Sequence, residues 1–303
     1  MKILTVFTGG TIGSSRQGNS IALDEKNTFL LLQMYHEQYG AAAFETVAPY
    51  TILSENLNAK RLKALRACIT EQLTKGYDGI IVTHGTDTLQ YAAAYLDLVL
   101  GETDTPVVLV SANYPLEDGR SNGLKNFAAA VDFIRSGSEK GVFVAYQNTG
   151  SDGASIHRGS RLLPHLPYDD GVHSLFFQPF GTIQNGVFVK NPDYREGERE
   201  DFSDCELNGT VLFVTPYVGI TYPVVEESIK AVLLQGWHSG TLPTDSEALA
   251  AFCQTAKERG VPVYLTGSQD GFEYATKQAF ETLGIQVLPP MSPIAAYVRL
   301  WLR

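Results

Sequence analysis

Two stretches of the sequence place hydroxyl residues beside glycine directly after an apolar run. They are Leu4–Gly13 (LTVFTGGTIG) and Gly79–Thr88 (GIIVTHGTDT). The apolar runs are typical of buried parallel strands, and glycine at a strand end lets backbone N–H groups approach a ligand because it has no Cβ. Thr11 and Thr86 then offer two hydroxyls, and Asp87 offers a carboxylate. A charged Asp87 buried at a strand end needs a cation or N–H groups around it, and an amino-acid ammonium is a suitable cation.

The first stretch alone has a second explanation, as an ordinary tight turn between a strand and a helix. A nucleotide-binding loop is not indicated, because neither stretch contains G-x-G-x-x-G or G-x-x-x-x-G-K-[ST]. The combination of the two stretches favours a ligand site. In an open α/β sheet the ligand lies in the crevice at the carboxyl ends of the strands, so the two hydroxyls and the carboxylate are expected to meet there.

The elements that must position these residues alternate between apolar strands and helices. This alternation predicts an α/β fold whose larger N-terminal domain is a doubly wound, mostly parallel sheet with right-handed crossovers. The polar segment 14–20 has no periodicity and is predicted to be a mobile surface loop next to Thr11. Strands are predicted at 79–83, 105–110 and 141–146, with helices near 26–39, 89–100 and 122–135.

A second, smaller α/β domain is predicted after a linker. The N-terminal domain is expected to cover residues 1–185, and the charge run at 196–201 (EGERED) indicates a linker over 186–208. The C-terminal domain is expected over 209–303. Its strands are predicted at 210–215, 231–234 and 261–266, with helices near 224–229, 246–259 and 274–283 and a last helix that begins at Ser292-Pro293.

Composition and charge narrow the class of protein. With 303 residues, 44% of them hydrophobic, the chain can bury a large core. The formal net charge of -10 and the lack of a basic stripe predict no nucleic-acid partner. No apolar run is long enough for a membrane span, and the first strand begins too early for a secretory signal. The three scattered cysteines indicate neither disulfides nor a zinc site, so a cytoplasmic protein without a membrane partner is expected.

The pair of stretches resembles the two signature motifs of the bacterial-type L-asparaginase family, which has the asparaginase/glutaminase fold. The resemblance implies hydrolysis of L-asparagine, or of a related amide, to aspartate and ammonia through an acyl-enzyme on a threonine. It also implies that no metal or organic cofactor is used, and that the chain forms a homodimer or homotetramer. The residues that carry it are Thr8–Ile12 (TGGTI), Thr83–Thr88 (THGTDT), Val110–Leu116, Asp118-Gly119 with Asn122, Phe180–Ile183 (FGTI) and Trp237–Pro243.

The resemblance also implies roles for individual residues. Thr11 would be the nucleophile, Thr86 would occupy a second hydroxyl site, and Asp87 would bind the α-ammonium group of the substrate. Ser54 would hold the α-carboxylate of the substrate. The backbone N–H groups of Thr86 and Ala112 would line an oxyanion pocket, where fixed dipoles contribute most to acyl transfer.

Several residues near the predicted site have two explanations. Glu55 could be a second carboxylate facing the ammonium, or a solvated residue at a helix start. His165 could be a general base with a pKa near neutrality, or a histidine of a surface loop. His84 is predicted to be structural. The side chains of Asn113 and Tyr114 could reshape the pocket, so asparagine need not be the preferred amide.

The sequence departs from the resembled family at two places that bear on activation of the threonine. The mobile loop after Thr11 often supplies a tyrosine in the family, and residues 14–28 contain none. The family carries a lysine in an R-x-x-K segment, and the matching residues here are Gly159–His165 (GSRLLPH), with Pro164 at the lysine position. A proline side chain carries no proton. An amino-acid-binding or regulatory protein on the same scaffold is therefore the alternative to an enzyme. Three residues of the second domain also have two explanations. They either reach the site of a neighbouring subunit or are loop residues without a role in a site: Ser268, Gln269 and Glu273.

Overall fold

The structure of the chain, a computed structural model, describes residues 1–17, 20–23, 26–137, 139–197, 200–268 and 274–303. For residues 13–17, 20–23 and 26–28 it describes the backbone alone. The chain divides into two compact units, Met1–Asp204 and Cys205–Arg303. In the described part of the chain, no helix combines the length and the apolar character needed to cross a lipid bilayer.

The first unit alternates strands with helices, as the sequence predicts. Its strands are β1 Lys2–Phe7, β2 Ser14–Gln17, β3 Ser20–Leu23, β4 Ala43–Val47, β5 Gly79–Thr83, β6 Val107–Val110, β7 Val142–Tyr146, β8 Ala154–Arg158, β9 Gly181–Gln184 and β10 Val187–Lys190. Its α-helices are α1 Lys26–Tyr39, α2 Ala59–Leu73, α3 Leu89–Leu100 and α4 Gly123–Ser136.

Eight of these strands form one sheet, in the order β10-β9-β8-β7-β6-β5-β1-β4. Strands β4, β1, β5, β6 and β7 are parallel, and β8, β9 and β10 are antiparallel. Every residue of β5, β6 and β7 is buried, so both faces of the central sheet are covered. On one face, Tyr35 of α1 and Phe127 of α4 join the core. The prediction of a larger, mostly parallel sheet is confirmed.

The topology places both sequence motifs at the same point of the sheet. From β1 the chain runs to the edge strand β4 and then returns to β5 on the other side of β1. Such a reversal of direction leaves a crevice at the carboxyl ends of the two strands, and open α/β sheets bind ligands there. The motif after β1 and the motif after β5 therefore flank this crevice.

Two segments of the first unit differ from the sequence expectations. Part of the segment 14–20, predicted as a loop, belongs to β2 and pairs with β3 in an antiparallel hairpin, while residues 18 and 19 lie outside the described part. Strand β2 (SSRQ) is wholly polar, so it lacks the alternation of apolar residues that would distinguish a strand from a loop. Strand β10 lies in the predicted linker 186–208 but pairs with β9 at the sheet edge. The boundary between the compact units, at Asp204, also falls inside that linker.

The second unit is a smaller parallel sheet, as predicted. The helix predicted near 224–229 is absent from these described residues: Ile229 already belongs to a strand, and among residues 224–228 Val225 alone is buried while Val224 is 72% exposed. One inward apolar residue does not make the repeated face of a helix. The strands, in sheet order, are β11 Thr210–Val214, β12 Ile229–Gln235, β13 Val263–Thr266 and β14 Ile285–Val287, and the α-helices are α5 Glu247–Glu258, α6 Gln278–Thr282 and α7 Pro293–Leu302.

Candidate active site

The chain segments that follow β1 and β5 are in direct contact. The Thr8 hydroxyl donates a hydrogen bond of 2.7 Å to the Thr83 carbonyl oxygen. Beyond it, Gly10 has a φ of 79° and lies so close to Gly85 that a Cβ on Gly10 would be 2.3 Å from the Gly85 nitrogen. No side chain fits at Gly10, so this glycine is what allows the two motifs to meet.

Thr11, Thr86 and Asp87 follow this contact immediately. Thr11 opens the one-turn helix Thr11–Gly13, and Thr86 opens the one-turn helix Thr86–Thr88. Both threonines are half-buried, whereas Asp87 is exposed. The expectation of a buried carboxylate is therefore wrong, because the one-turn helix carries Asp87 out of the covered sheet. An exposed carboxylate stays charged without a buried counter-ion and is open to a cationic ligand.

Ser54 reaches the same place from the segment between β4 and α2. A bridge between Gly9 and Ile52 fixes this segment, with Gly10 N donating to Ile52 O at 3.0 Å. Ser54 is only 4% exposed, and its hydroxyl donates a hydrogen bond of 3.0 Å to Asp87 Oδ2. The structure thus joins two of the predicted substrate-binding residues.

Thr88 and Gly85 complete the surroundings of Ser54. The Thr88 hydroxyl donates to the Ser54 carbonyl oxygen at 2.9 Å, and a Cβ on Gly85 would lie 2.4 Å from Ser54 Oγ. The position of Ser54 is therefore fixed from two sides. Glu55, the next residue, is exposed. This exposure agrees with the interpretation of Glu55 as a solvated residue at a helix start.

Ala112 lies beside the residues that support Thr11. A Cβ on Gly123 would be 2.9 Å from Ala112 Cβ and 3.4 Å from Ile12 Cγ1, so the start of α4 closes on both residues. Ile12, which follows Thr11, is buried in the same core cluster as Ala112. The loop after β6 is thereby brought to the one-turn helix that begins at Thr11, as the predicted site requires.

The loop after Ala112 is locked by reciprocal hydrogen bonds. Asn113 N donates to Asn122 Oδ1 at 2.9 Å, and Asn122 N donates to Asn113 Oδ1 at 3.1 Å. The Arg120 guanidinium lies 4.1 Å from the centroid of the Tyr114 ring. The side chains of Asn113 and Tyr114 thus make contacts within their own loop, and their effect on the shape of the pocket stays a prediction.

His84 and His165 have different surroundings. His84 is 1% exposed, its Nδ1 is hydrogen-bonded to the Gly85 carbonyl oxygen at 2.9 Å, and burial lowers its pKa, which agrees with a structural role. His165 is half-buried, and its Nε2 is buried with no hydrogen-bond partner among the described residues. Burial lowers the pKa of His165, and the nearby carboxylates of Asp169 and Asp87 oppose this shift. A freely solvated surface histidine does not have these properties.

Two supporting residues had no role in the sequence interpretation. Thr88 holds the Ser54 backbone, and Asn126 is fully buried between two strand ends. Asn126 Nδ2 donates to Ser111 O at 2.8 Å, and Asn126 Oδ1 accepts from Gln147 N at 2.7 Å. An asparagine beside the apolar run of α4 is the sequence signal that could have identified it, because a buried amide needs partners.

The second unit offers fewer described contacts for the residues predicted there. Ser268 Oγ accepts a hydrogen bond of 3.0 Å from Lys277 Nζ. Gln269 and Glu273 lie outside the described residues, so their reach to a neighbouring subunit stays a prediction. Within the ranges that the structure describes, no group of three or more His, Cys, Asp or Glu side chains is placed to hold a metal ion.

Relatives in sequence point to one family. The profile of the asparaginase N-terminal domain matches residues 2–192. An L-asparaginase of Thermococcus kodakarensis is 28% identical over 280 residues, covering 88% of this chain and 80% of that protein. One of the subunits of the glutamyl-tRNA(Gln) amidotransferase of Methanobrevibacter smithii is 28% identical over an alignment of 318 residues, covering 98% of this chain and 71% of that protein.

Solved structures share the fold. The thermostable L-asparaginase from Thermococcus kodakarensis matches with a TM-score of 0.78 at 23% identity, over 99% of this chain and 92% of that chain. A probable cytoplasmic L-asparaginase from Campylobacter jejuni gives a TM-score of 0.78 at 22% identity, over 99% and 94% of the two chains. The matched profile runs from β1 through β10, so it contains both strand ends that lead to Thr11 and Thr86. The chain therefore belongs to the asparaginase family.

Proposed function

We propose that this chain hydrolyses the side-chain amide of an amino acid to the acid and ammonia, with L-asparagine as the first candidate substrate. The observation that supports the proposal is the contact between the segments that follow β1 and β5, because Thr11 and Thr86 each follow a glycine of that contact. The hydrogen bond between Ser54 and Asp87, the residue after Thr86, supports it as well. Membership of the asparaginase family supports the reaction class.

Asp87 and Ser54 fit the charged end of an amino acid. The Ser54 hydroxyl holds Asp87 Oδ2, which leaves Oδ1 for the α-ammonium group of the substrate. The α-carboxylate is attached to the same carbon as the ammonium, so it would lie against the neighbouring Ser54 hydroxyl, whose single proton would then turn from Asp87 to the carboxylate. Glu55 is proposed as a second carboxylate near the ammonium, and its exposure makes this the weakest of the proposed contacts.

Thr11 is the proposed nucleophile. Its hydroxyl oxygen would attack the amide carbonyl carbon, while the backbone N–H groups of Thr86 and Ala112 would hold the oxygen that becomes negative. Breaking of the C–N bond then releases ammonia and leaves an ester on Thr11. A water molecule hydrolyses the ester to the free acid. The proposed reaction consumes only the amide and water, so it requires no cofactor.

We also propose that the chain works in the cytoplasm as a homodimer or homotetramer, without nucleic acid or membrane as a partner. The net charge of -10 supports the exclusion of nucleic acid, because polyanions repel each other. Light scattering of the purified chain measures the number of subunits. A monomeric mass at the concentration of the activity assay would contradict the proposed assembly.

A second candidate function is amino-acid binding without turnover. Pro164 favours it, because the proline ring offers no proton to a relay and stands where the family carries a lysine. Calorimetry with aspartate and asparagine, combined with an ammonia assay, separates the two functions. Heat of binding with no ammonia release supports the binding protein, whereas sustained ammonia release supports the enzyme.

Ammonia release from a panel of amides tests the proposed enzyme. We expect turnover by the wild type and a loss of about 10³-fold or more in Thr11→Ala and in Thr86→Val, since removal of a nucleophile or its partner has effects of this size. The matched control is Thr74→Val, which removes an exposed hydroxyl. All variants are compared by thermal unfolding. Wild-type turnover in both Thr11→Ala and Thr86→Val would overturn the proposal.

A further inference from the structure

His165 is a half-buried histidine that the reaction described above leaves unused. Its Nε2 atom is buried and has no hydrogen-bond partner among the described residues. Leaving a buried polar atom unpaired is unfavourable. A ligand or a reacting group that pairs with Nε2 removes this cost, so the atom is a candidate for a role in binding or proton transfer.

The segment that leads to His165 is fixed on α3. A Cβ on Gly159 would lie 2.6 Å from the Ala93 carbonyl oxygen, so the backbone rests directly on the helix. Ser160 donates two hydrogen bonds to Asp97 Oδ2, from its nitrogen at 2.9 Å and from its hydroxyl at 2.5 Å. Asp97 is fully buried at its side chain. The start of the segment is therefore anchored to a rigid element.

The other end of the same loop is also fixed. Leu163 N donates to His173 O at 2.9 Å, and Leu162 forms a bridge with Ser174. The Ser174 hydroxyl is in turn hydrogen-bonded to His157 Nδ1 of β8 at 2.7 Å. His165 lies two residues beyond Leu163, so its backbone is tied to the sheet through these contacts.

The anchored segment can reach the mouth of the site. Ala93 lies six residues after Asp87, which corresponds to about 9 Å along a helix. Six residues also separate Gly159 from His165, and a one-turn helix over Gly159–Arg161 followed by extended chain spans up to about 16 Å. The segment is therefore long enough to return from Ala93 to the end of α3 that follows Asp87.

The charges around His165 agree with this position. Burial lowers the pKa of the imidazole most strongly, and the positive charge that His173 can carry lowers it further. The carboxylates of Asp169, Asp87 and Asp170 raise it. The influence of Asp87 means that His165 lies within electrostatic reach of the proposed ammonium site. Because burial dominates, the pKa of His165 lies below the ordinary histidine value, which favours the neutral form that a proton acceptor needs.

We propose that Nε2 of His165 accepts the proton of the attacking threonine, a role that rests on the proposed amide hydrolysis. Because Nε2 has no partner among the described residues, the imidazole must turn toward the Thr86 hydroxyl once the substrate is bound. As Thr11 Oγ then bonds to the amide carbon, its proton passes to the Thr86 hydroxyl, which gives its own proton to His165 Nε2. The imidazolium then gives the proton to the leaving nitrogen as the C–N bond breaks, and ammonia departs. Water that attacks the ester delivers its proton to Nε2, and the imidazolium returns a proton to Thr11 Oγ.

Replacement of His165 tests the proposal, with His173→Gln as the matched control on the same loop. In His165→Gln we expect kcat to fall by about 10² to 10⁴-fold, the range for general acid–base catalysis. We expect KM and the aspartate dissociation constant to change by less than about threefold, and the acidic limb of the kcat pH profile to disappear. Added imidazole should restore part of the activity of His165→Gly but none in Thr11→Ala. His173→Gln should keep the wild-type rate.

The outcomes separate this proposal from the proposed function. Wild-type kcat and an unchanged pH profile in His165→Gln would overturn the role of His165 and leave amide hydrolysis standing. An equal loss of kcat and of aspartate affinity, without rescue by imidazole, would also overturn it, because that result indicates a structural role. A wild-type chain that binds aspartate and releases no ammonia from any amide would overturn the proposed function itself, and this role with it.

Discussion

The Ser54 hydroxyl donates a hydrogen bond of 3.0 Å to Asp87 Oδ2, although 33 residues separate the two along the chain. Ser54 is buried and Asp87 is exposed, so the buried residue orients a carboxylate that remains open to a ligand. The pair offers a hydroxyl and a charged oxygen side by side. Such preorganisation reduces the entropy lost when a small zwitterion binds.

Replacement of Ser54 by alanine tests this pair. We expect the dissociation constant of aspartate to rise by about 10 to 100-fold, because a hydrogen bond to a charged group contributes about 1.5–3 kcal/mol. Isothermal titration calorimetry measures the change. The matched control is Thr74→Val, which removes an exposed hydroxyl and for which we expect less than a threefold change. An unchanged aspartate affinity in Ser54→Ala would contradict the proposed role of the pair.

The contact between Gly10 and Gly85 predicts that Gly10→Ala is severely destabilising. A Cβ on Gly10 would be 2.3 Å from the Gly85 nitrogen, and the positive φ adds strain. We expect a loss of about 3 kcal/mol or more in the free energy of unfolding. The control is Gly40→Ala, where φ is 89° and nothing lies within 4 Å, so strain alone should cost about 1–2 kcal/mol. Urea denaturation compares the two, and equal losses would mean that the contact does not constrain the fold.

The hydrogen bonds between Asn113 and Asn122 predict that the side-chain amide of Asn122 stabilises the conformation of the loop after β6. In Asn122→Ala the Asn113 N–H loses its acceptor and the Gln147 carbonyl oxygen loses its donor, so we expect the free energy of unfolding to fall by about 1–3 kcal/mol. We expect kcat to fall as well, because the proposed Ala112 N–H donor lies at the start of this loop. Arg120→Ala, in the same loop, removes an exposed ion pair and should cost less than about 1 kcal/mol. Equal losses of stability in Asn122→Ala and Arg120→Ala would show that the hydrogen bonds of the Asn122 side chain do not hold the loop.

The burial of His157 makes the free energy of unfolding depend on pH. Burial lowers the pKa of His157 to about 3, whereas an unfolded histidine titrates near 6.5. Between these values the unfolded chain binds the extra proton, so the contribution of His157 to stability is complete above about pH 6.5 and is lost as the pH falls toward 3. The slope amounts to at most about 1.4 kcal/mol per pH unit.

The variant His157→Gln should therefore show a shallower loss of stability between pH 6.5 and about 4.5 than the wild type. Ser174→Ala is the control, because it removes the hydrogen-bond partner of His157 Nδ1 while keeping the histidine. Urea denaturation at several pH values gives both slopes. A wild-type slope in His157→Gln would assign the pH dependence to other groups, such as His84, whose pKa burial also lowers.

Local signals in the sequence were sufficient for much of the fold. Asn58 is a preferred N-cap residue type, and its side-chain oxygen accepts a hydrogen bond from Arg61 N at the start of α2. Ser292 with Pro293 was expected to open α7, and Ser292 Oγ accepts from Ile294 N. The apolar run 79–83 is a strand with the predicted bounds. These features depend on a few neighbouring residues, which a sequence pattern contains.

The remaining features depend on contacts between distant segments. The convergence at Gly10 and Gly85 could be predicted because parallel strands end at one edge of a sheet. The partners of Asn113, by contrast, depend on where α4 begins in space, which no local pattern encodes. The hairpin of β2 and β3 and the edge strand β10 were missed because edge and hairpin strands show little apolar alternation.

The central claim, that Thr11 is the nucleophile of an amide hydrolase, is tested most directly by trapping the acyl-enzyme. The reaction with asparagine is quenched in acid during turnover, and the digested chain is mapped by mass spectrometry. The proposed mechanism predicts an aspartyl ester on the peptide that carries Thr11, and its absence in Thr11→Ala. An ester on Thr86, or ammonia release with no ester on any threonine, would contradict it.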